Sequence, residues 1–159
     1  MDEASSVADF INGQSAILAS VSNLLAEKCA DDPSDIRTIN LAIEFLCNCT
    51  ISCKEYTVKV MEETCVLEVL KHVIEGAGKK TINILVLDNI FNFVHNMTTH
   101  EILPPLDAHE VCLQIAVIML LNSEEREASS ADVLQFFATK DTESISNWAS
   151  EEVVGKLLS

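Results

Sequence analysis

Glycine and proline are scarce in this chain of 159 residues, which has four of the first and three of the second. So few breakers favour long helices joined by short turns. Aromatic residues make up only 5%, with a single Trp and a single Tyr. Basic residues are also few, ten against 25 acidic ones, for a net charge of −15. Phosphate backbones would be repelled by such a chain, which argues against direct nucleic-acid binding and suits a basic protein or peptide instead. Long apolar runs are missing. The longest strongly apolar one, residues 115–121, is far too short to span a bilayer, so no membrane insertion is expected. The first residues include Asp2, Glu3 and Asp9 and no basic leader. No secretory signal is read there, and the expected location is intracellular, cytoplasmic and/or nuclear. The sequons at Asn48-Cys49-Thr50 and Asn96-Met97-Thr98 then carry no weight.

Catalytic signatures are missing too. There is no glycine-rich phosphate loop, no nucleophile elbow and no metal-ligand cluster, so neither an enzyme nor a cofactor is expected. The six cysteines, Cys29, Cys47, Cys49, Cys53, Cys65 and Cys112, read as reduced, small apolar residues. Cys47 and Cys49 would point about 200° apart on a helix, and no second Cys/His pair follows at finger spacing, so no zinc site is expected. His72, His95, His100 and His109 are scattered.

What the chain does have is a run of large apolar residues at 81–96, TINILVLDNIFNFVHN. They cover nearly every direction around a helix, as in a helix buried between neighbours. A strand of that length without a turn signal would be unusual. Asp88, Asn89 and Asn92 interrupt the run and share one face. Asp88 is expected to reach water or a cation, and Asp88→Leu to be tolerated or stabilising. The same pattern occurs in residues 41–50, LAIEFLCNCT. There Glu44 and Asn48 stand 44 positions before Asp88 and Asn92. A further step of 44 reaches Asp132 and Phe136, so the acid recurs and the asparagine does not. Helical units of about 40–47 residues are the period of armadillo and HEAT arrays.

In chain order, the pattern predicts a short helix over 1–13, ended by Asn12-Gly13, and a second over 14–29. Asp31-Asp32-Pro33-Ser34-Asp35 restarts the chain into the Glu44 helix. Ser52-Cys53-Lys54-Glu55 reads as a capping box before a short helix. Another runs over about 65–75 and ends at Gly76-Ala77-Gly78. Residues 99–103 read as a short helix stopped by Pro104-Pro105. Asp107 reads as the cap of an apolar helix through Leu121, and 122–130 as a polar connection. A helix then opens at Ser129…Asp132, and a last one at 142–158 carries Ile145, Trp148, Val153, Val154, Leu157 and Leu158. The chain is expected to be one domain, 1–159, in units of about 1–50, 51–97 and 98–140 plus the helix at 142–158.

Residues 36–136 resemble armadillo repeats and, more loosely, HEAT repeats. The residues that carry the resemblance are Leu46-Cys47-Asn48-Cys49 and Ile90-Phe91-Asn92-Phe93, which look like the L-x-N-L motif on the third helix of an armadillo repeat. The resemblance implies an all-α, right-handed α-solenoid of about three repeats, with the third helices lining a concave groove. It also implies that Asn48 and Asn92 hold the backbone of an extended peptide. The chain departs from the pattern in three places. Glu44 and Asp88 stand where importin-α has tryptophan, the first-turn Gly and Pro are missing around residues 63–66, and Phe136 replaces the third asparagine. The implied function is a protein–protein interaction module. Glu44, Asn48, Asp88, Asn92, Asp132 and Phe136 would hold a basic, partly apolar segment of a partner. An asparagine in a helix can also simply bond a neighbouring loop. The alternative role is a scaffold or oligomerisation domain, self-associating through residues 142–158.

Overall fold

The computed structural model describes residues 3–30, 36–51, 53–76, 84–143 and 146. The expected cap at 31–35, Ser52, the turn after Gly76 and most of the helix at 142–158 lie outside them. The described residues form seven α-helices and two short 3-10 turns, with no strand among them. The helices are α1 (Glu3–Ala30), α2 (Ile36–Cys49), α3 (Lys54–Glu63), α4 (Val66–Gly76), α5 (Ile84–Thr99), α6 (His109–Asn122) and α7 (Glu127–Lys140). None of the described helices is long and apolar enough to cross a membrane.

The expected break at Asn12-Gly13 does not occur, and α1 runs straight through it. A glycine inside an exposed helix costs about 1 kcal/mol relative to alanine, which tertiary packing can override. Gly13 is exposed and crowded by nothing, while Leu18 and Leu25 further along α1 are buried. Hydrogen bonds to the α3–α4 region then tie α1 down, among them the following. Gln14 donates to Tyr56, Lys59 donates to Ser15, and Ser22 Oγ accepts from the Cys65 amide just before α4.

The expected helix at 99–103 is also absent. Instead α5 runs on to Thr99 and closes in a double turn. The Ile102 amide bonds to Met97 O at 3.0 Å and the Glu101 amide to Thr98 O at 3.0 Å, with Glu101 at φ 57°. This is the Schellman ending, here with glutamate in the left-handed position that glycine usually fills. Buried Ile102 and Met97 supply the apolar contact that accompanies it.

Two further starts differ from the sequence reading. Asp107 does not cap α6. It sits in the 3-10 turn Leu106–Ala108 and bonds to Lys71, which holds its carboxyl below the usual range and raises the lysine. The 122–130 connection is short because a 3-10 turn, Glu124–Arg126, leads directly into α7 at Glu127.

The helices pack in two layers, α2, α5 and α7 against α3, α4 and α6, with α1 across α2, α3 and α4. α5 is central, packing on α2, α3, α4, α6 and α7. Its Ile90, Phe91, Phe93, Val94 and Met97 are fully buried, as the residues at 81–96 predict. Between α2 and α5, Asn40 pairs with Asn89 at 2.6 Å, Thr50 with Asn96 at 2.9 Å, and Thr50 O with His100 at 2.9 Å. The partners advance together along both helices, so α2 and α5 run in the same direction. Asp88 with Arg126, and His95 with Asp132, show the same for α5 and α7.

Candidate interaction face

Helix periodicity places the α5 polar residues in order around the helix. Asn89 and Asn96 turn toward α2, and Asp88 and His95 toward α7. Asn92 stands between them at the centre of the half-exposed stripe. On α2, Asn40 and Cys47 turn toward α5. Cys47 Sγ donates to Asn89 O at 2.8 Å, and Glu44 and Asn48 are exposed. On α7, Asp132 is exposed, with His95 Nε2 3.7 Å away.

The six residues singled out from the sequence therefore divide. Glu44, Asn48, Asn92 and Asp132 reach solvent along the α2–α5–α7 row. Asp88 does reach a cation, but one of its own chain. Arg126 clamps it through Nε at 2.9 Å and Nη2 at 2.8 Å, with the guanidinium 5.9 Å from the Phe91 ring centre. Phe136 is half-buried against the core, edge-on to Phe137 at 5.5 Å. It belongs more to packing than to an open groove. The 44-residue equivalence does not set the contacts either. Across α5 and α7 the touching residues are 37 or 38 apart, so Asp132 lies beside His95 rather than beside Asp88. Two helical turns separate that register from the expected one, which keeps the face and shifts the rungs. Arg37 also shares the outward face of α2, one cation among the acids.

Arg126 and His95 were not singled out from the sequence. Arg126 sits in the acidic stretch NSEEREASS, and its isolation there as a cation is the signal that could have found it. The clamp changes the expectation for Asp88→Leu. Removing the carboxylate strands a half-buried guanidinium, so we expect about 1–2 kcal/mol of destabilisation, and about the same for Arg126→Leu. The double variant Asp88→Leu/Arg126→Leu should lose clearly less than the sum of the two, read by urea unfolding. Additive losses would mean that the pair is uncoupled.

The described thiols are free. Burial pushes Cys47 up to about 12, with a smaller opposing contribution from the Phe93 backbone, and it pushes Cys112 up to about 12 as well. Cys49 is raised by burial too. Thiolate is the reactive form, so Cys47 and Cys112 should resist an aromatic disulfide reagent at mildly alkaline pH until the protein unfolds. The unfolded chain ionises these thiols first. Their contribution to stability is thus complete below pH 9 and falls between about 9 and 12. Labelling of Cys47 or Cys112 in the native protein as fast as in urea would contradict their placement. Among the described residues, no group of three His, Cys, Asp or Glu side chains is placed to hold a metal ion.

A groove of about 330 Å³ lies between α1, α2 and α3, lined in part by Gln14, Ile17, Phe45, Cys49, Tyr56 and Val60. It was not foreseen, because it is built from three helices whose outward residues look unremarkable one at a time. Compared with protein-family models, curated proteins and solved structures, the chain matches none of them.

Proposed function

We propose that the chain is a short right-handed α-solenoid of armadillo or HEAT type, acting as a non-catalytic protein–protein interaction module. Its α2–α5–α7 row would bind a basic, partly apolar segment of a partner protein. The observation that carries this reading is that α2, α5 and α7 lie side by side and run in one direction, with Glu44, Asn48, Asn92 and Asp132 reaching solvent along them. Asparagine both donates and accepts, so Asn48 and Asn92 can grip a peptide backbone without reading its sequence. Glu44 and Asp132 favour lysine or arginine on that peptide, an attraction that weakens as salt rises. Asp88 takes part only if a ligand cation competes with Arg126, and Phe136 offers an edge rather than a pocket.

The test is a titration of extended Lys/Arg-rich peptides with interspersed leucines, followed by fluorescence anisotropy at low and high salt. Asn48→Ala with Asn92→Ala should weaken binding about tenfold, since each lost hydrogen bond contributes about 0.5–1.5 kcal/mol, with the thermal midpoint unchanged. Glu44→Lys with Asp132→Lys should weaken binding and reduce its salt dependence. Equal binding by native chain and by a form with all four positions replaced would refute the reading.

A further inference from the structure

Asp88 and Asp132, the two recurring acids on the α5–α7 side of the row, each have a basic side chain beside them. The two bases differ in kind. Arg126 is always charged and holds Asp88 through two hydrogen bonds, at 2.9 and 2.8 Å. His95 Nε2 stands 3.7 Å from the Asp132 carboxylate, within ion-pair distance, and is a cation only when protonated. One ring carries both bases. Phe91 lies under the Arg126 guanidinium at 5.9 Å and stacks on His95 at 6.3 Å, with the rings 11° from parallel. The His95 side chain is 28% exposed and that of Asp132 70%, so solvent protons and a ligand reach both.

We propose that His95 is a pH-sensitive switch on the row, which closes it to a cationic partner segment by pairing with Asp132 as pH falls. The switch rests on the peptide-binding reading of the row. Histidine side chains change charge between about pH 5 and 8, whereas carboxylates ordinarily titrate near 4. With His95 neutral, Glu44 and Asp132 both offer a full negative charge to a lysine or arginine of the ligand. With His95 protonated, the imidazolium takes up Asp132 as Arg126 takes up Asp88. Of the three recurring acids only Glu44 is then left for the ligand. One positive charge is also added three residues from Asn92, on the same stripe of α5.

The surroundings leave His95 as the group whose charge changes. On its own helix the nearest acid, Asp88, is held by Arg126. From α7 it faces Asp132, and from the turn before α7 it faces Arg126 across the Phe91 ring. Glu124, Glu125 and Glu127 beside Arg126 are exposed. α2 adds Arg37 and Glu44 to the outward side of the row. α3, α4 and α6 also pack against α5 and form no ion pair with His95 among the described residues. The other histidines are occupied or lie elsewhere. His100 bonds Thr50 O, His109 is buried between Pro104 and Asp141, and His72 is on α4 in the other layer.

The test uses an acetylated Lys/Arg-rich peptide with interspersed leucines and no histidine, so that the ligand keeps its charge. Its binding to the full chain is followed by fluorescence anisotropy at pH 8 and pH 5.5 in low salt. The native chain should bind about two- to fivefold more weakly at pH 5.5, the scale of one exposed ion pair, and the ratio should shrink at high salt. In His95→Gln the ratio should fall to about one. His95→Lys is charged at both pH values, so its ratio should also be about one, with affinity below that of the glutamine form. His95→Asn replaces the glutamine form if circular dichroism shows that form unfolded. The pairing is also read without a ligand. In urea unfolding, a double-mutant cycle of His95→Gln and Asp132→Asn should show coupling of about two- to fivefold in the unfolding constant at pH 5.5 and none at pH 8. Equal native binding at both pH values, a ratio that persists in His95→Gln, or no coupling at pH 5.5 overturns the switch and leaves the peptide-binding reading standing. No binding at either pH overturns that reading, and the switch with it.

Discussion

Phe91→Ala is expected to destabilise the protein by about 3–5 kcal/mol, enough to threaten folding in a domain of this size. Phe91 is fully buried on α5, the helix that packs against five others. Its ring stacks on His95 with centroids 6.3 Å apart, and the Arg126 guanidinium lies over it at 5.9 Å. Truncation opens a cavity where α5 meets its neighbours and removes the surface on which the Asp88–Arg126 clamp rests. Close-packed interiors relax only partly around such a loss. Urea unfolding measures it through a lower midpoint at unchanged slope. Phe91→Leu keeps most of the volume and should lose about 1–1.5 kcal/mol, so comparing the two separates cavity from ring. A loss below 1 kcal/mol for the alanine form would mean that α5 is not the centre of the core.

His109→Leu is expected to have the next largest effect, about 2–4 kcal/mol. The ring is buried at the start of α6 and both its nitrogens are engaged. Nε2 bonds the Pro104 carbonyl at 2.8 Å and Nδ1 the Asp141 carboxylate at 2.5 Å, with Phe137 edge-on at 5.4 Å. These contacts tie the Pro104-Pro105 loop to the end of α7. Leucine fills much of the space but leaves the buried proline carbonyl without a donor and takes a partner from Asp141. His109→Gln retains one donor and should fall between the native chain and the leucine form. If leucine is as stable as histidine in thermal unfolding, the ring serves only as filler.

The helical class could be read from glycine and proline scarcity, and the buried centre from the apolar residues at 81–96. Both rest on averages over many positions, which single contacts do not upset. Boundaries were less legible, because local signals compete with packing. Asn12-Gly13 is a turn signal that α1 overrides once Leu18 and Leu25 are buried. Conversely, the helix expected at 99–103 yields to a chain reversal at Glu101, whose positive φ no sequence rule for glutamate predicts. The recurrence of Glu44, Asp88 and Asp132 follows helical phase, and of the three the structure leaves Glu44 and Asp132 exposed and pairs Asp88 with Arg126. The spacing does not give the contacts between α5 and α7, where Arg126 reaches Asp88 from a turn before the helix begins and Asp132 lies beside His95.

The common direction of α2, α5 and α7 has an electrical consequence. Aligned peptide dipoles leave about half a negative charge at each helix C-terminus, and here the three ends point the same way. No basic residue sits in the last turn of α2 or α5, and only Lys140 in that of α7. The hydroxyls that bond carbonyls there, Thr50 to Cys47 and Thr98 and Thr99 to His95, complete hydrogen bonds without supplying charge. One edge of the row is therefore electronegative through its backbone, independently of side chains. Neutralising Glu44 and Asp132 should leave a residual, salt-sensitive pull on a cationic ligand, strongest toward that edge.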